Sequence, residues 1–320
     1  MTSRNALITG VCGQDGSYLA EQLVAEGWTV HGTVRPGEAV PPEVTALGSA
    51  VQLHELDLRD ARALQSALRA AQPTEVYNLA GVSSVAQSWQ DPVVTAQVNG
   101  VAVAVLLEEV RRLQEESGQL VRVLQASSAE LFAGAEHTPQ DEATPLTPGS
   151  PYGASKAFAH HLCHVYRGAG VHAATAILYN HESPRRPATF VTRKITKTVA
   201  AIADGRADEL ALGNLEPRRD WGWAPEYVDA MVRIVRHDQA DDFVLATGVG
   251  HSVAEFVAAA FARVGIEDWQ PYVRTDPSFV RSVDPVDSVG DAGKAGRVLG
   301  WRPQVSFTEI VGRMVDADRA

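Results

Sequence analysis

The chain has 320 residues, of which 45% are hydrophobic and 21% charged, as in globular proteins with a substantial core. Its formal net charge is −11 and no segment is rich in lysine and arginine, which argues against a nucleic-acid partner. Two cysteines are too few for a disulfide framework and fit a reducing cytoplasm. With no signal peptide and no apolar run of membrane length, the sequence predicts a cytoplasmic protein without a membrane partner.

A strand, a glycine loop and a helix open the chain. Residues 6–9 form a short apolar run, residues 10–16 carry the spacing GxxGxxG, and helical apolar spacing starts at Tyr18. This order predicts a βαβ unit that binds a pyrophosphate at the helix N-terminus. More strands are predicted at 28–34, 51–56, 76–80 and 121–125, with helices notably at 98–112 and 152–166. The alternation predicts an α/β fold with a doubly wound parallel sheet.

The character of the sequence changes after about residue 180, where prolines interrupt the pattern. One more sheet strand is predicted at 243–246, an irregular stretch at 270–289 and a closing helix at 307–318. We therefore expect a dinucleotide-binding domain at 1–179 plus about 222–262. A smaller, discontinuous C-terminal substrate domain is expected at about 180–221 and 263–320.

The glycine loop and the second strand carry the cofactor prediction. The loop residues expected at the cofactor are Gly10, Gly13, Gln14, Asp15 and Gly16. An NAD site places a carboxylate about 20 residues beyond the loop, on the ribose hydroxyls. The second strand instead ends at Arg35, and a guanidinium suits a 2′-phosphate. The sequence favours NADP over NAD, with a surface arginine as the alternative reading.

Two short motifs carry the predicted chemistry. Tyr152 and Lys156 lie four apart, on one helix face, where an ammonium can lower the phenol pKa from about 10. Such a phenol can take a proton from a sugar hydroxyl while hydride leaves the carbon. Ser128 and Glu130 precede this pair, and simple dehydrogenation has no need of the extra acid. Glu130 therefore suggests elimination of water as a second step.

These motifs belong to a longer series. The chain resembles the extended short-chain dehydrogenase/reductases and, within them, the GDP-mannose 4,6-dehydratases. The resemblance covers nearly the whole chain, and its motifs after residue 180 separate this family from other nucleotide-sugar enzymes. The motifs are TG at 9–10, QDGSYLAE at 14–21, YNL at 77–79, QAS at 125–127, SPYG at 150–153, NHESPRR at 180–186, FVTRKI at 190–195, LGNL at 212–215 and RDWG at 219–222.

The resemblance implies a redox-neutral dehydration of a GDP-hexose, most simply GDP-mannose, to a 4-keto-6-deoxy sugar nucleotide. In this scheme Tyr152 is the base at the C4 hydroxyl, Lys156 holds the nicotinamide ribose, and Ser128 bonds O4. Glu130 removes the C5 proton and then helps the C6 hydroxyl to leave. The dTDP-glucose 4,6-dehydratases have an Asp-Glu pair where this chain has Ala129-Glu130. One carboxylate must therefore serve here as both base and acid.

The resemblance also nominates binding residues. No metal site is predicted, because the sequence offers no third ligand near His160, His161 and His164. For the cofactor it adds Asp57, Leu58, Leu79, Ala80, His181 and Arg185. For the nucleotide sugar it gives Ser83, Asn180, Lys194, Arg219, Arg281 and Asp284. Relatives form homodimers or homotetramers, and the helices predicted at 98–112 and 152–166 are the expected contact face.

Some positions depart from the family pattern and keep alternatives open. Ser128 stands for a threonine, a short Pro36-Gly37-Glu38-Ala39 replaces a longer basic segment, and the residues around Arg281 also differ. A 4,6-dehydratase of another nucleotide sugar, or an epimerase or reductase on the same scaffold, is the first alternative. The second is a non-catalytic dinucleotide-binding protein, against which the intact set of catalytic residues argues.

Overall fold

A seven-stranded parallel sheet forms the centre of the computed structural model, which describes residues 4–279 and 287–320. Its strand order is β10-β6-β5-β4-β1-β2-β3. The strands are β1 Asn5–Thr9, β2 Thr29–Val34, β3 Val51–Glu55, β4 Glu75–Asn78, β5 Arg122–Ala126, β6 His172–Leu178 and β10 Asp242–Leu245. The predicted doubly wound α/β fold is confirmed, because the chain runs outward from β1 in both directions with helices between the strands.

The long helices cover this sheet, and shorter ones connect them. The helices are α1 Gln14–Ala25, α2 Pro42–Thr45, α3 Ala61–Ala71, α4 Val85–Gln90, α5 Pro92–Ala96, α6 Ala102–Ser117, α7 Pro151–Gly168, α8 Val191–Ala203, α9 Ala224–Arg236, α10 Val253–Arg263, α11 Gly293–Leu299 and α12 Phe307–Arg319. Two apolar cores result, with α1 and α9 on one side and α3, α6 and α7 on the other. Because both faces are covered, the inner strands read as continuous buried runs.

The strand β6 is absent from the sequence predictions, although all seven of its residues are buried. Its sequence, HAATAIL, is rich in alanine and has neither alternation nor a long apolar run. Pairing with β5 on one side and β10 on the other makes it a strand. It shows that an inner strand needs little intrinsic β propensity when its neighbours supply the ladder.

One helical stretch corrects the expectation that no apolar run reaches membrane length. Pro92–Ser117, which joins α5, a π-helical turn at Gln97–Val101 and α6, is long and apolar enough by length and composition to cross a membrane. Half of its most apolar window is buried inside the protein. Residues of α6 pack with α3 and α7 in one core, so the hydropathy is that of a core helix.

The rest of the chain builds a separate apolar core beside the sheet, which is called the second core below. β9 Arg218–Trp223 pairs with β7 Asn180–Glu182, β11 Gly250–Ser252 and β13 Asp287–Ser288, and β8 Leu210–Leu212 pairs with β12 Val273–Thr275. Side chains of α8, α10 and α12 fill this core around Trp221. The described residues of the stretch predicted as irregular at 270–289 thus include two short strands.

Candidate active site

The phosphate loop lies where β1 ends. Gly10 has a φ of +71°, and a Cβ there would lie 3.0 Å from Ala80 Cα. At Gly16 a Cβ would lie 2.3 Å from the Gly10 carbonyl oxygen, so only glycine permits this tight turn. Gly13 is the N-cap of α1 and supplies no side-chain cap. The first N–H groups of α1 are therefore available to an anion.

A buried ion pair braces this loop against β7. His181 Nε2 lies 2.9 Å from Asp15 Oδ2, and His181 Nδ1 lies 2.8 Å from the Tyr179 carbonyl oxygen. Both ring nitrogens face acceptors only, which requires a protonated imidazole. Burial opposes this charge, but the Asp15 carboxylate prevails and raises the pKa of His181. Conversely, burial would raise the pKa of Asp15, and His181 lowers it.

Ser128, Glu130 and Tyr152 come together beyond β5. Ser128 Oγ accepts a hydrogen bond of 3.2 Å from the Glu130 backbone N–H at the start of a 3₁₀ turn, Ala129–Phe132. Burial raises the pKa of Tyr152 to about 12, although a hydrogen bond with the Ser128 side chain lowers it, and the nearby Glu130 charge raises it further. The predicted base, hydroxyl and acid thus share one pocket.

Lys156 does not act on the phenol as the sequence reading expected. Its Nζ donates a 3.0 Å hydrogen bond to the Ala126 carbonyl oxygen and lies 5.9 Å from the Tyr152 ring centroid. Burial lowers the pKa of Lys156 to about 8. The sequence predicted a lowered Tyr152 pKa, and this is wrong, because burial of the phenol outweighs the charges near it.

Asn99 is a site residue that sequence reasoning missed. It lies 2% exposed in the π-helical turn, accepts from the Val82 N–H at 2.8 Å and donates to the Val82 carbonyl at 2.9 Å. It also donates to Ser155 Oγ at 3.2 Å. Asn99 therefore joins the loop after β4 to the helix of Tyr152. A π-helical turn often marks a functional site, but the sequence shows no sign of one here.

Arg185, predicted at the cofactor, is held on the flank of α1. Its guanidinium lies 2.6 Å from Glu21 Oε1 and 3.4 Å from Glu43 Oε1. It also stacks over the Tyr18 ring at 3.8 Å and donates to Ser17 Oγ at 3.1 Å. With two carboxylates already bound, Arg185 has little charge left for a phosphate.

The neighbouring Arg186 makes different contacts. Its side chain is 16% exposed, stacks over Phe190 and lies 3.4 Å from Glu182 Oε2. The atom nearest Glu182 is the buried Nε, which makes no hydrogen bond within the described residues. The charge of Arg186 lowers the pKa of both Asp15, in the first turn of α1, and Tyr152, on α7. Arg186 is thus better placed than Arg185 to meet a bound anion.

The residues predicted at the adenosine end lie at the carboxyl ends of β2, β3 and β4. Arg35 is 80% exposed and pairs with Glu38 at 3.0 Å. Asp57 pairs with Arg59 at 2.5 Å, while Leu58 packs against a core. Leu79 packs on the sheet, and the Ala80 N–H donates to Thr9 Oγ1 at 3.0 Å.

The predicted substrate residues are spread over three elements and a loop. Asn180 begins β7, and Arg219 lies in β9, where its Nη1 donates to the Arg218 carbonyl oxygen at 2.7 Å. Lys194, on α8, has its Nζ 3.5 Å from the Phe279 ring centroid. Ser83 is exposed in the loop before α4. Arg281 and Asp284 lie outside the described residues.

A small cavity of about 10 Å³ borders Glu130 on the side of the second core. Its lining combines the turn after β5 and Gln140 with the two residues of β13: Ala129, Glu130, Phe132, Ala133, Gln140, Asp287 and Ser288. Gln140 forms backbone hydrogen bonds with Val289 and Asp291, of 2.9 and 2.8 Å. The chain after residue 286 thus contributes one wall beside the predicted acid.

The site fits a dinucleotide in two respects. The N-terminus of α1 lacks a side-chain cap, and Ser127 Oγ is buried at the end of β5 without a hydrogen-bond partner among the described residues.

Fold and site together define an extended short-chain dehydrogenase/reductase. A UDP-glucose 4-epimerase from Thermus thermophilus, in complex with NAD, superposes with a TM-score of 0.84 at 27% identity over 98% of each chain. RMD from Pseudomonas aeruginosa, complexed with NADPH, has the same fold, with a TM-score of 0.80 at 22% identity over 98% of this chain and 99% of that one.

Sequence comparison identifies the family of the chain within this class. A family profile described as GDP-mannose 4,6 dehydratase matches residues 7–314. GDP-mannose 4,6 dehydratase 2 of Arabidopsis thaliana is 44% identical over 98% of this chain and 86% of its own length. The GDP-mannose 4,6-dehydratase of Sinorhizobium fredii (strain HH103) is 41% identical over 99% and 97%. The chain belongs to the GDP-mannose 4,6-dehydratase family, and the predicted family is confirmed.

Proposed function

We propose that the protein is a hydro-lyase that converts GDP-mannose to its 4-keto-6-deoxy derivative without net oxidation. The observation that carries this is the meeting of Ser128, Glu130 and Tyr152 in one pocket of a chain in this family. A phenol alone suits oxidation of a hydroxyl, whereas an added carboxylate suits removal of water. Ala129 leaves Glu130 without the second acid of the dTDP-glucose enzymes.

The residues divide the proton transfers among themselves. Tyr152 takes the C4 hydroxyl proton, with Ser128 holding O4. The ketone at C4 acidifies C5, and Glu130 removes the C5 proton. The same carboxyl group, now protonated, passes its proton to the departing C6 hydroxyl. A nicotinamide dinucleotide held at the phosphate loop would supply the hydride transfer, from C4 and back to C6, and would bring a positive charge to the pocket. Tyr152 returns to C5 the proton that it took from the C4 hydroxyl as C6 receives the hydride, which closes the cycle.

The high pKa of Tyr152 bears on this first step. At about 12 the phenol is protonated at neutral pH, so it cannot start as a ready base. An additional positive charge in the pocket favours the phenolate. Arg186 already acts in this direction, because its charge lowers the Tyr152 pKa. We infer that the base is activated only in the assembled complex.

For the cofactor we propose NADP, with NAD less favoured. The epimerase neighbour is in complex with NAD and the RMD neighbour with NADPH, so the fold accommodates either dinucleotide. Arg35 at the end of β2 supports NADP, since a guanidinium pairs with a 2′-phosphate. The pyrophosphate of the dinucleotide is proposed to bind at the loop glycines, Gln14 and Asp15. Its adenosine is proposed to bind at Asp57, Leu58, Leu79 and Ala80.

We propose that the nucleotide sugar is held mainly by the discontinuous part at about 180–221 and 263–320, with residues 1–179 and about 222–262 holding the cofactor. Lysine and arginine are the expected partners of a diphosphate. The proposed substrate set is Ser83, Asn180, Lys194, Arg219, Arg281 and Asp284. Among the described residues, Lys194 contacts the Phe279 ring, with its Nζ 3.5 Å from the ring centroid.

We also propose a cytoplasmic homodimer or a larger homo-oligomer. The helical layer of α4 to α7 exposes large apolar side chains that a lone chain would leave in water, namely Trp89, Val93, Val101, Phe158 and Val165. Phe158 lies against Gly100, so residues of α7 and the π-helical turn share this face. A second copy of the chain is the proposed occupant.

The test is to incubate the protein with GDP-mannose and follow the product by mass spectrometry. A dehydratase gives a product lighter by one water, with no net change in NADPH. Glu130→Gln should lower this rate at least about 100-fold, since a general acid–base residue contributes about that much. Glu136→Gln, at an exposed acid nearby in the chain, is the matched control and should retain the rate.

Each alternative gives a distinct result. A reductase consumes NADPH in step with its product, and an epimerase leaves the mass of the sugar nucleotide unchanged. Full water loss by Glu130→Gln would remove Glu130 from its assigned role. No product from GDP-mannose, with water loss from another nucleotide sugar, would keep the reaction and change the substrate.

A further inference from the structure

The turn after β2 brings an acid back onto Arg35. The Glu38 backbone N–H donates to the Arg35 carbonyl oxygen at 3.0 Å, which closes a β-turn over residues 35–38. Pro36 presets the second position, and Gly37 has the φ of +73° that the third position of a type II turn requires. The tight turn thus places the Glu38 side chain beside Arg35 at the end of β2.

The carboxylate of Glu38 is bound firmly to Arg35. It accepts from the Arg35 backbone N–H and Nη2 at 3.0 Å each, and from Nε at 3.4 Å. Glu38 is 25% exposed, whereas Arg35 is 80% exposed. The acid thus lies on the inner side of the pair, and the guanidinium extends into solvent. Glu38 therefore offsets the charge of Arg35 before any phosphate binds.

This pair lies next to the phosphate loop. β1 and β2 are adjacent and in register, with Thr9 opposite Thr33, so the residues after each strand are neighbours. Cys12 of the loop is close enough for both charges to affect its thiol. Burial raises the pKa of Cys12 to about 11, the Glu38 charge raises it further, and the Arg35 charge lowers it. In this fold the adenosine ribose lies between the phosphate loop and the end of the second strand.

We propose that Glu38 sets the cofactor preference of this protein. Its carboxylate is placed to accept hydrogen bonds from the ribose hydroxyls of NAD, and it repels the 2′-phosphate of NADP while occupying Arg35. The protein therefore binds both dinucleotides and favours NADP over NAD by less than about tenfold, because binding NADP requires the Arg35–Glu38 pair to open. This inference rests on the dinucleotide site of the proposed function and is independent of the sugar substrate.

The test is calorimetric titration of nucleotide-free protein with NAD⁺ and with NADP⁺. Glu38→Gln should shift the ratio of the two dissociation constants toward NADP⁺ by at least about tenfold, the value of one charge-assisted hydrogen bond. Arg35→Gln should shift the ratio the other way. Asp229→Asn removes a surface carboxylate that bonds Arg233 at 2.8 Å on α9, and should leave the ratio unchanged.

Two outcomes would overturn the proposal: an unchanged ratio in Glu38→Gln, or wild-type protein that prefers NADP⁺ by more than about 100-fold. Circular dichroism of each variant checks the fold. Failure of the dehydration assay is a separate result, because binding of the dinucleotide is measured without any sugar nucleotide. A shifted ratio with no dehydration would keep this inference and reopen the proposed reaction.

Discussion

The pair of Asp15 and His181 gives the sharpest test of how this site is built. It joins the first turn of α1 to β7 across 166 positions of sequence, through one hydrogen bond of 2.9 Å. Hydrogen bonds between charged groups are worth about 1.5–3 kcal/mol. The Asp15 side chain is 20% exposed, which limits the gain from a low dielectric. We therefore expect a coupling free energy of about 2 kcal/mol between the two side chains.

The coupling should depend on pH in a defined direction. The pKa of His181 is raised above its ordinary 6.5, so its contribution is complete below that pH and is lost as pH rises through the folded pKa. The pKa of Asp15 is lowered below 3.8, so its contribution is present above that pH and is lost as pH falls through the folded pKa. The pair is therefore fully charged between these limits, and about pH 5–6 is the best place to measure it.

The assay is urea unfolding of wild type, Asp15→Asn, His181→Gln and the double variant. The difference between the double change and the sum of the single changes gives the coupling. An NMR titration of His181 fixes its folded pKa. The exposed pair His251 and Glu255, 2.8 Å apart on α10 and the strand before it, is the chemically matched control. Its coupling should be below about 1 kcal/mol.

Two results would refute this reasoning. A coupling no larger than that of the control pair would mean that burial adds nothing to the interaction. A coupling that persists at a pH where NMR shows a neutral His181 would mean that the contact is not ionic. Destabilisation by His181→Gln alone decides nothing, because that change also removes the ring stacked on Tyr227 at 4.7 Å.

The remaining predictions concern the base, the phosphate loop and a buried carboxylate. Tyr152→Phe should retain the fold and lose at least about 100-fold in dehydration rate by mass spectrometry; unchanged turnover would remove it as the base. Gly16→Ala, whose Cβ would lie 2.3 Å from the Gly10 carbonyl oxygen, should cost about 1–3 kcal/mol in urea unfolding and abolish calorimetrically detected dinucleotide binding. Asp220, fully buried, accepts from the Thr247 N–H and hydroxyl at 2.8 and 2.6 Å. Asp220→Asn should cost about 1–3 kcal/mol in urea unfolding, and wild-type stability would show that the carboxylate is dispensable.

The sequence by itself determined the local features, because their physics is local. A strand, a GxxGxxG loop and a helix leave few alternatives to a phosphate-binding turn. The positive φ of Gly10 and the close approach of Gly16 to the Gly10 carbonyl oxygen both arise within that short segment. Spacing alone put Tyr152 and Lys156 on one face of α7. The parallel sheet followed from the alternation of strands and helices, and the family followed from the motifs.

Only the tertiary structure decided what depends on burial and on distant partners. The sequence of β6 has little β propensity of its own. The role of Asn99 depends on its hydrogen bonds to the loop after β4 and to α7, which are distant in the sequence. Arg185 and Arg186 are adjacent residues of the same type, yet one is bound by two carboxylates and the charge of the other acts on Asp15 and Tyr152. The pKa of Tyr152 rises because burial outweighs a neighbouring charge, and spacing along a helix carries no measure of burial.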